Sequence, residues 1–162
     1  MTKFPVGVLN GSELAGPIAI AEFPSRATAM EWHESADLTF PRLIADSSGG
    51  SRFDVVSIPV TLQNFAPPAA PFSVSPLEPA TQCGFLHLPV HWVGDMHPSP
   101  IRMWIFVHQG EMHFEASNGD WRRISPGSAV LLEDTEGMGH FSKVLGEQAA
   151  VLAVARLPQI AP

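Results

Sequence analysis

The most regular pattern of apolar and polar positions lies in IRMWIFVH, residues 101–108, where Ile101, Met103, Ile105 and Val107 alternate with Arg102, Trp104, Phe106 and His108. Successive strand side chains point to opposite faces, so a period of two predicts a strand whose first set faces an interior. The second set holds two large apolar side chains, which predicts that this face is covered too, by the N-terminal segment or a second subunit. Comparable runs recur at 84–92, 111–116, 121–124, 129–133, 140–145 and 149–156. The breaks between them carry turn chemistry: Asn118-Gly119 tolerates the positive φ of a hairpin, and Pro126-Gly127 and Gly146 mark the next reversals. Seven strands spaced in this way predict an all-β sandwich or barrel.

The first half is less regular. RFDVVSIPV, residues 52–60, reads as an edge strand, because Pro59 lacks an amide donor and would break a central ladder. Residues 64–79, NFAPPAAPFSVSPLEP, predict an extended proline-rich strap whose phenylalanines are meant for burial. Ahead of it, 16–23 suggests one strand and 25–35 a short helix capped by Ser25. The expected organisation is an extension over residues 1–41, packed on the barrel or a partner subunit, followed by a barrel domain over 42–162.

Composition narrows the class. Apolar residues make up 45% of the 162 and charged residues only 15%, which suits one folded domain. A net charge of -7 and scattered Arg and Lys leave no basic surface for phosphates, so nucleic acid is not an expected partner. Cys83 stands alone and can form no internal disulfide, which is compatible with a reducing compartment. No apolar run of membrane-spanning length and no secretion-signal pattern is present, so the expectation is a soluble cytoplasmic protein without a membrane partner.

Five of the seven histidines fall between His91 and His140. The intervening strands and turn would bring His97 and His140 to neighbouring strands of one antiparallel sheet. With FAPP (65–68), GDMHPSP (94–100) and PGSAVLLEDTEGMGH (126–140) in view, residues 42–157 resemble the cupin superfamily, most closely its short single-domain members without an assigned reaction. The resemblance implies a double-stranded β-helix, or jelly-roll, barrel with an N-terminal extension.

Cupins carry GxxxxxHxH, three or four residues, E, six residues, G, and a second motif PxGxxH, three residues, N. With Gly110 as the last glycine of the first motif, its opening glycine falls on His91 and its ligand positions on His97, Ser99 and Met103. In the second motif Thr135 stands for proline, Gly137 and His140 match, and Val144 replaces asparagine. The resemblance therefore implies a pocket for one divalent metal (Fe, Zn, Mn or Ni) on His97 and His140, with His91 as a reserve ligand. A first-row metal needs three or four N/O donors, and a thioether at Met103 and a neutral hydroxyl at Ser99 are poor replacements. The metal-free alternative stays open.

His97 and His140 are also the candidate general acid and base, since imidazole titrates near neutrality. Taken singly, each reads better as a buried, hydrogen-bonded core histidine, and it is the match of both to cupin positions that favours a pocket role. Met103, Ser99, Trp92, Phe114 and Ile105 would line a mainly apolar site for a small organic ligand. His87, His108 and His113 point away from that site by parity. Glu133 and Asp134 end a strand; Asp134 reads foremost as a turn residue accepting loop amides, and second to that one of the two carboxylates faces the mouth, where it completes a metal shell or pairs with a histidine. Arg102 could hold a carboxylate with its guanidinium fork, although its parity places it outside. Two functions follow: a lyase or isomerase moving protons on a small molecule, or a non-catalytic ligand-binding or sensory module. A homodimer is expected in either case.

Overall fold

The computed structural model describes residues 37–159. Its strands are β1 (Leu38–Ala45), β2 (Ser51–Ile58), β3 (Thr61–Gln63), β4 (Phe72–Val74), β5 (Gln82–Leu88), β6 (Val93–His97), β7 (Met103–Gln109), β8 (Glu111–Ala116), β9 (Trp121–Ile124), β10 (Ala129–Glu133), β11 (His140–Leu145) and β12 (Ala150–Arg156). They form a six-stranded sheet in the order β2-β1-β10-β7-β12-β5, a four-stranded sheet β6-β11-β8-β9, and the small pair β3-β4. From β5 onward consecutive strands alternate between the two large sheets, except that β8 and β9 form a hairpin within one. That order, 5-12-7-10 facing 6-11-8-9, is a jelly roll, with β1 and β2 added beside β10. No helix among the described residues is long and apolar enough to cross a membrane.

Alternation explains why these residues form these strands. In β8, Met112, Phe114 and Ala116 are buried while Glu111, His113 and Glu115 are not; in β11 the buried set is His140, Ser142 and Val144. The buried sets of both sheets meet in one core that includes Leu43, Met103, Ile105, Met112, Phe114 and Leu132. Ile101 is part-buried against this core, so the expected inward face of the 101–107 run is the observed one.

The opposite face is covered as well. Trp104 is buried in a second cluster with Ala129, Leu131 and Leu157, flanked by Phe40, Val56 and Ile58. The cover at Trp104 therefore comes from β1, β2 and the segment after β12, with Phe40 set edge-on to Trp104 at 5.6 Å. Farther along the same face, Phe106 and Phe85 remain 40% and 74% exposed.

The turns behave as their residues predict. Gly119 has φ +84° and donates its amide to Ala116 O at 2.9 Å, closing the β8-β9 hairpin. β2 is an edge strand ending at Ile58, just before Pro59.

Three expectations change. β1 opens at Leu38 and pairs in parallel with β10 over Arg42–Ile44 only, so Pro41 sits where β1 has β2 as its partner and its missing donor disrupts no second ladder. The run at 84–92 ends as a strand at Leu88; Pro89 begins a turn in which His91 takes φ +64° and Trp92 donates its amide to Pro89 O. The strap at 64–79 contains β4, which pairs with β3, and its Phe65 and Phe72 meet edge to face at 5.9 Å while both stay exposed rather than buried. The strand expected at 16–23, the helix at 25–35 and His33 lie outside the described residues.

Candidate functional site

β6 and β11 are antiparallel neighbours in which His97 and His140 face each other in register, their ring centroids 5.0 Å apart. The juxtaposition expected from the sequence is therefore present. The two imidazoles differ sharply in environment. His140 is 3% exposed and packs near the Phe114 ring at 5.7 Å, whereas His97 is exposed.

Close glycine contacts hold this geometry. Gly139 has φ +71°, and a Cβ there would overlap the His97 carbonyl and the Pro98 nitrogen. A Cβ on Gly137, at φ +75°, would likewise run into the Gly49 carbonyl in the β1-β2 turn, which also accepts the Met138 amide at 2.8 Å. Only a residue without Cβ lets the backbones approach this far. The buried Ser51 hydroxyl donates to Gly139 O at 2.5 Å, and accepts the Ser117 amide at 2.8 Å, tying β2 to the same loop.

Asp134 is the residue whose role the sequence underweighted. Its side chain is fully buried, and Oδ2 accepts from His140 Nδ1 at 2.7 Å. Burial holds the carboxyl above its ordinary range, offset only in part by the hydrogen bond and positive potential of His140. Its other oxygen, Oδ1, has no hydrogen-bond partner among the described residues. The signal was available in strand parity. Val130 and Leu132 face the core and Leu131 faces the second cluster, so continuing the alternation sends Glu133 outward and Asp134 inward. Glu133 indeed bonds Arg42 and Arg102 outside the barrel.

Hydrogen-bond partners fix the tautomers. His97 Nδ1 lies 2.6 Å from the Asp95 carbonyl, which can only accept, so Nδ1 carries the proton. His140 Nδ1 faces a carboxylate and is likewise the donor. In its neutral form each ring is left with a lone pair on Nε2, available to take a proton or to bind a ligand.

Of the remaining candidates Phe114 neighbours His140 and Ser99 bonds the Asp134 backbone, while the others lie elsewhere in the barrel. Met103, Ile105 and Phe114 are buried at 9%, 4% and 2% exposure within the main core, and Trp92 packs against it. Ser99 is buried and donates its hydroxyl to Ile101 O, while its amide bonds Asp134 O at 2.9 Å. His91 is on the surface, 3.6 Å from Glu147. His113 stacks on Trp121 at 5.2 Å on the outer face, and His87 and His108 are exposed. Two surface grooves of about 310 and 320 Å³ flank Gln159, the second lined by Arg42, Arg102 and Glu133; neither includes His97 or His140.

Among the described residues, the donors beside His97 and His140 fall short of the three or four that a first-row metal takes. Two imidazoles converge, but Ser99 is committed to Ile101 and Met103 is a core thioether. Among the described residues no group of three or more His, Cys, Asp or Glu side chains is arranged to hold an ion.

The strand order of the two large sheets is that of the cupin barrel, a double-stranded β-helix, here with two further strands on one edge. No family model matches the chain, and no curated protein matches it. Among solved structures it is similar to the cupin domain of Cnp3 from Schizosaccharomyces pombe, with a TM-score of 0.40 and 12% identity over 77% of this chain and 85% of that one.

Proposed function

We propose that the His97/His140 pair moves protons on a small organic molecule, in lyase or isomerase-type chemistry. The observation that carries this reading is the chain from buried Asp134 to His140 to the facing ring of His97. A carboxylate on Nδ1 fixes the ring orientation and stabilises the imidazolium formed when Nε2 takes a proton. His140 would act as the oriented base, and Asp134 as its positioning residue. His97, in contact with solvent, would return a proton to the substrate or stabilise a developing oxyanion, and then re-equilibrate with water. The balance is simple: a C–H proton goes to one Nε2, and the proton on the other imidazolium goes to the carbanion, enolate or leaving group.

The test is deuterium exchange in D₂O across a panel of small ketones and hydroxy acids, followed by proton NMR. Exchange in the wild type that disappears in His140→Gln and His97→Gln supports the proposal. Equal exchange in both variants sinks it.

A second reading is favoured by the filled interior, in which Met103, Ile105 and Phe114 pack as core. On that reading the histidines recognise a ligand at the rim without turnover. His97→Gln, which keeps a hydrogen-bonding group, would then retain binding. A second copy of the chain is expected to pack on the outer face near Phe85 and Phe106, the exposed apolar end of the six-stranded sheet.

A further inference from the structure

We propose that the groove at the end of β10, on the face opposite the histidines, binds a small oxyanion, carboxylate or phosphate, through Arg42 and Arg102. The protein carries a net charge of -7 with only nine Lys and Arg, yet two of those nine converge on one glutamate. Arg42 of β1 and Arg102, just before β7, each direct Nε at Glu133, one to Oε2 and the other to Oε1. The Glu133 side chain is 7% exposed, and those of Arg42 and Arg102 are 34% and 17% exposed, so the cluster is largely desolvated.

The count of donors leaves the cluster unsaturated. Two cations share the buried carboxylate of Glu133, and the exposed Glu136 brings the formal charge of the groove to zero, so its attraction for an anion comes from the free donors. A guanidinium has five N–H donors in a fixed fork, and Nε supplies only one of them. Among the described residues, the Nη groups of Arg42 make no hydrogen bond, and Arg102 makes one further bond, from Nη1 to Pro158 O at 3.4 Å. Those free forks border a groove of about 320 Å³ that Thr135 and Gln159 also line with polar side chains. That volume lies at the small end of ligand pockets and suits a compact ion. Glu136 lines the groove too, and its carboxylate disfavours a polyanion.

Pre-organisation strengthens the case. A free arginine loses rotamer freedom when it clamps an anion, whereas here Glu133 fixes both side chains before any ligand arrives. The arrangement therefore differs from a chance meeting of mobile surface arginines. It is independent of the proton-transfer reading, because Glu133 and the histidines lie on opposite faces.

The experiment titrates the full chain with inorganic phosphate and, separately, with succinate at constant ionic strength, reading ¹H–¹⁵N shifts of the Arg42 and Arg102 Nε groups and of the Thr135 and Gln159 amides. Saturable shifts with at least one anion are expected, and the comparison identifies which oxyanion chemistry is preferred. Arg42→Lys and Arg102→Lys keep the charge but lose the fork, and each should weaken binding by roughly tenfold. His140→Gln should leave it unchanged, which separates this site from the histidine pair. Absence of saturable shifts in the wild type at millimolar anion, or undiminished affinity in both lysine variants, overturns the proposal.

Discussion

Replacing Asp134 with alanine probes the most informative contact in the barrel. The substitution leaves the Nδ1–H of His140, a group 3% exposed, without its acceptor at 2.7 Å. An orphaned buried donor costs about 1–3 kcal/mol. The void left by the carboxyl adds a smaller penalty at about 24 cal/mol per Å³. Opposing these, the variant no longer buries a carboxylate, so a net loss of about 2 kcal/mol is expected near pH 5. For a chain of this size that corresponds to a fall in Tm of about 4–8 °C.

The loss should depend on pH with a definite sign. Burial raises the folded-state pKa of Asp134 above its ordinary value of 3.8, so the unfolded chain releases this proton first as pH rises. The stability owed to the protonated carboxyl is fully present below the unfolded value and is lost as pH climbs through the folded one. Each unit of upward shift corresponds to about 1.4 kcal/mol. The gap between wild type and Asp134→Ala should therefore narrow from acid to neutral pH. Urea unfolding at several pH values, read as the midpoint at constant m, measures it. A gap under about 0.5 kcal/mol at every pH, the range of ordinary surface substitutions, would show that the bond contributes nothing. A gap that widens as pH rises would show that the hydrogen bond, not burial, governs this carboxyl.

Other expectations are as direct. Gly139→Ala drives a Cβ into the His97–Pro98 backbone at positive φ, and should cost more than about 3 kcal/mol while displacing both imidazoles; near-wild-type stability would contradict the close approach. His97→Gln, at an exposed position, should change stability by less than about 0.5 kcal/mol while reducing proton exchange. Phe114→Ala, in the centre of the core beside His140, should cost about 3–5 kcal/mol by denaturant unfolding. Sedimentation at micromolar concentration should give a dimer that dissociates on Phe85→Glu; a clean wild-type monomer removes that expectation.

The second half of the fold was legible because its strands alternate cleanly. β8, β9, β10 and β11 coincide with the runs at 111–116, 121–124, 129–133 and 140–145. β1 and β6 were not legible, for local reasons. LTFPRLIA carries a proline that only the one-sided pairing at Pro41 makes tolerable, and VGDMH joins a glycine and an aspartate of low strand preference. Here tertiary pairing outweighs propensity. At the site, motif spacing placed His97 opposite His140, but abundant methionine and aromatic residues suggested an apolar chamber where the side chains instead interlock as core. Asp134 was assigned to the turn through its residue type, although the parity of Val130 and Leu132 pointed it inward.

The glycine contacts also determine where this barrel can be altered. Surface loops of β proteins usually absorb an inserted residue at little cost. The segment between Asp134 and His140 lacks that freedom: a carboxylate–imidazole bond joins its ends, while Gly137 and Gly139 lie wedged against Gly49 and His97. Its length is thus as constrained as its chemistry, and one added residue would separate the two rings. The turn at Gly146 is the opposite case, since a Cβ there would meet nothing within 4 Å. Peptide grafts belong there, at the far end of β11 from His140.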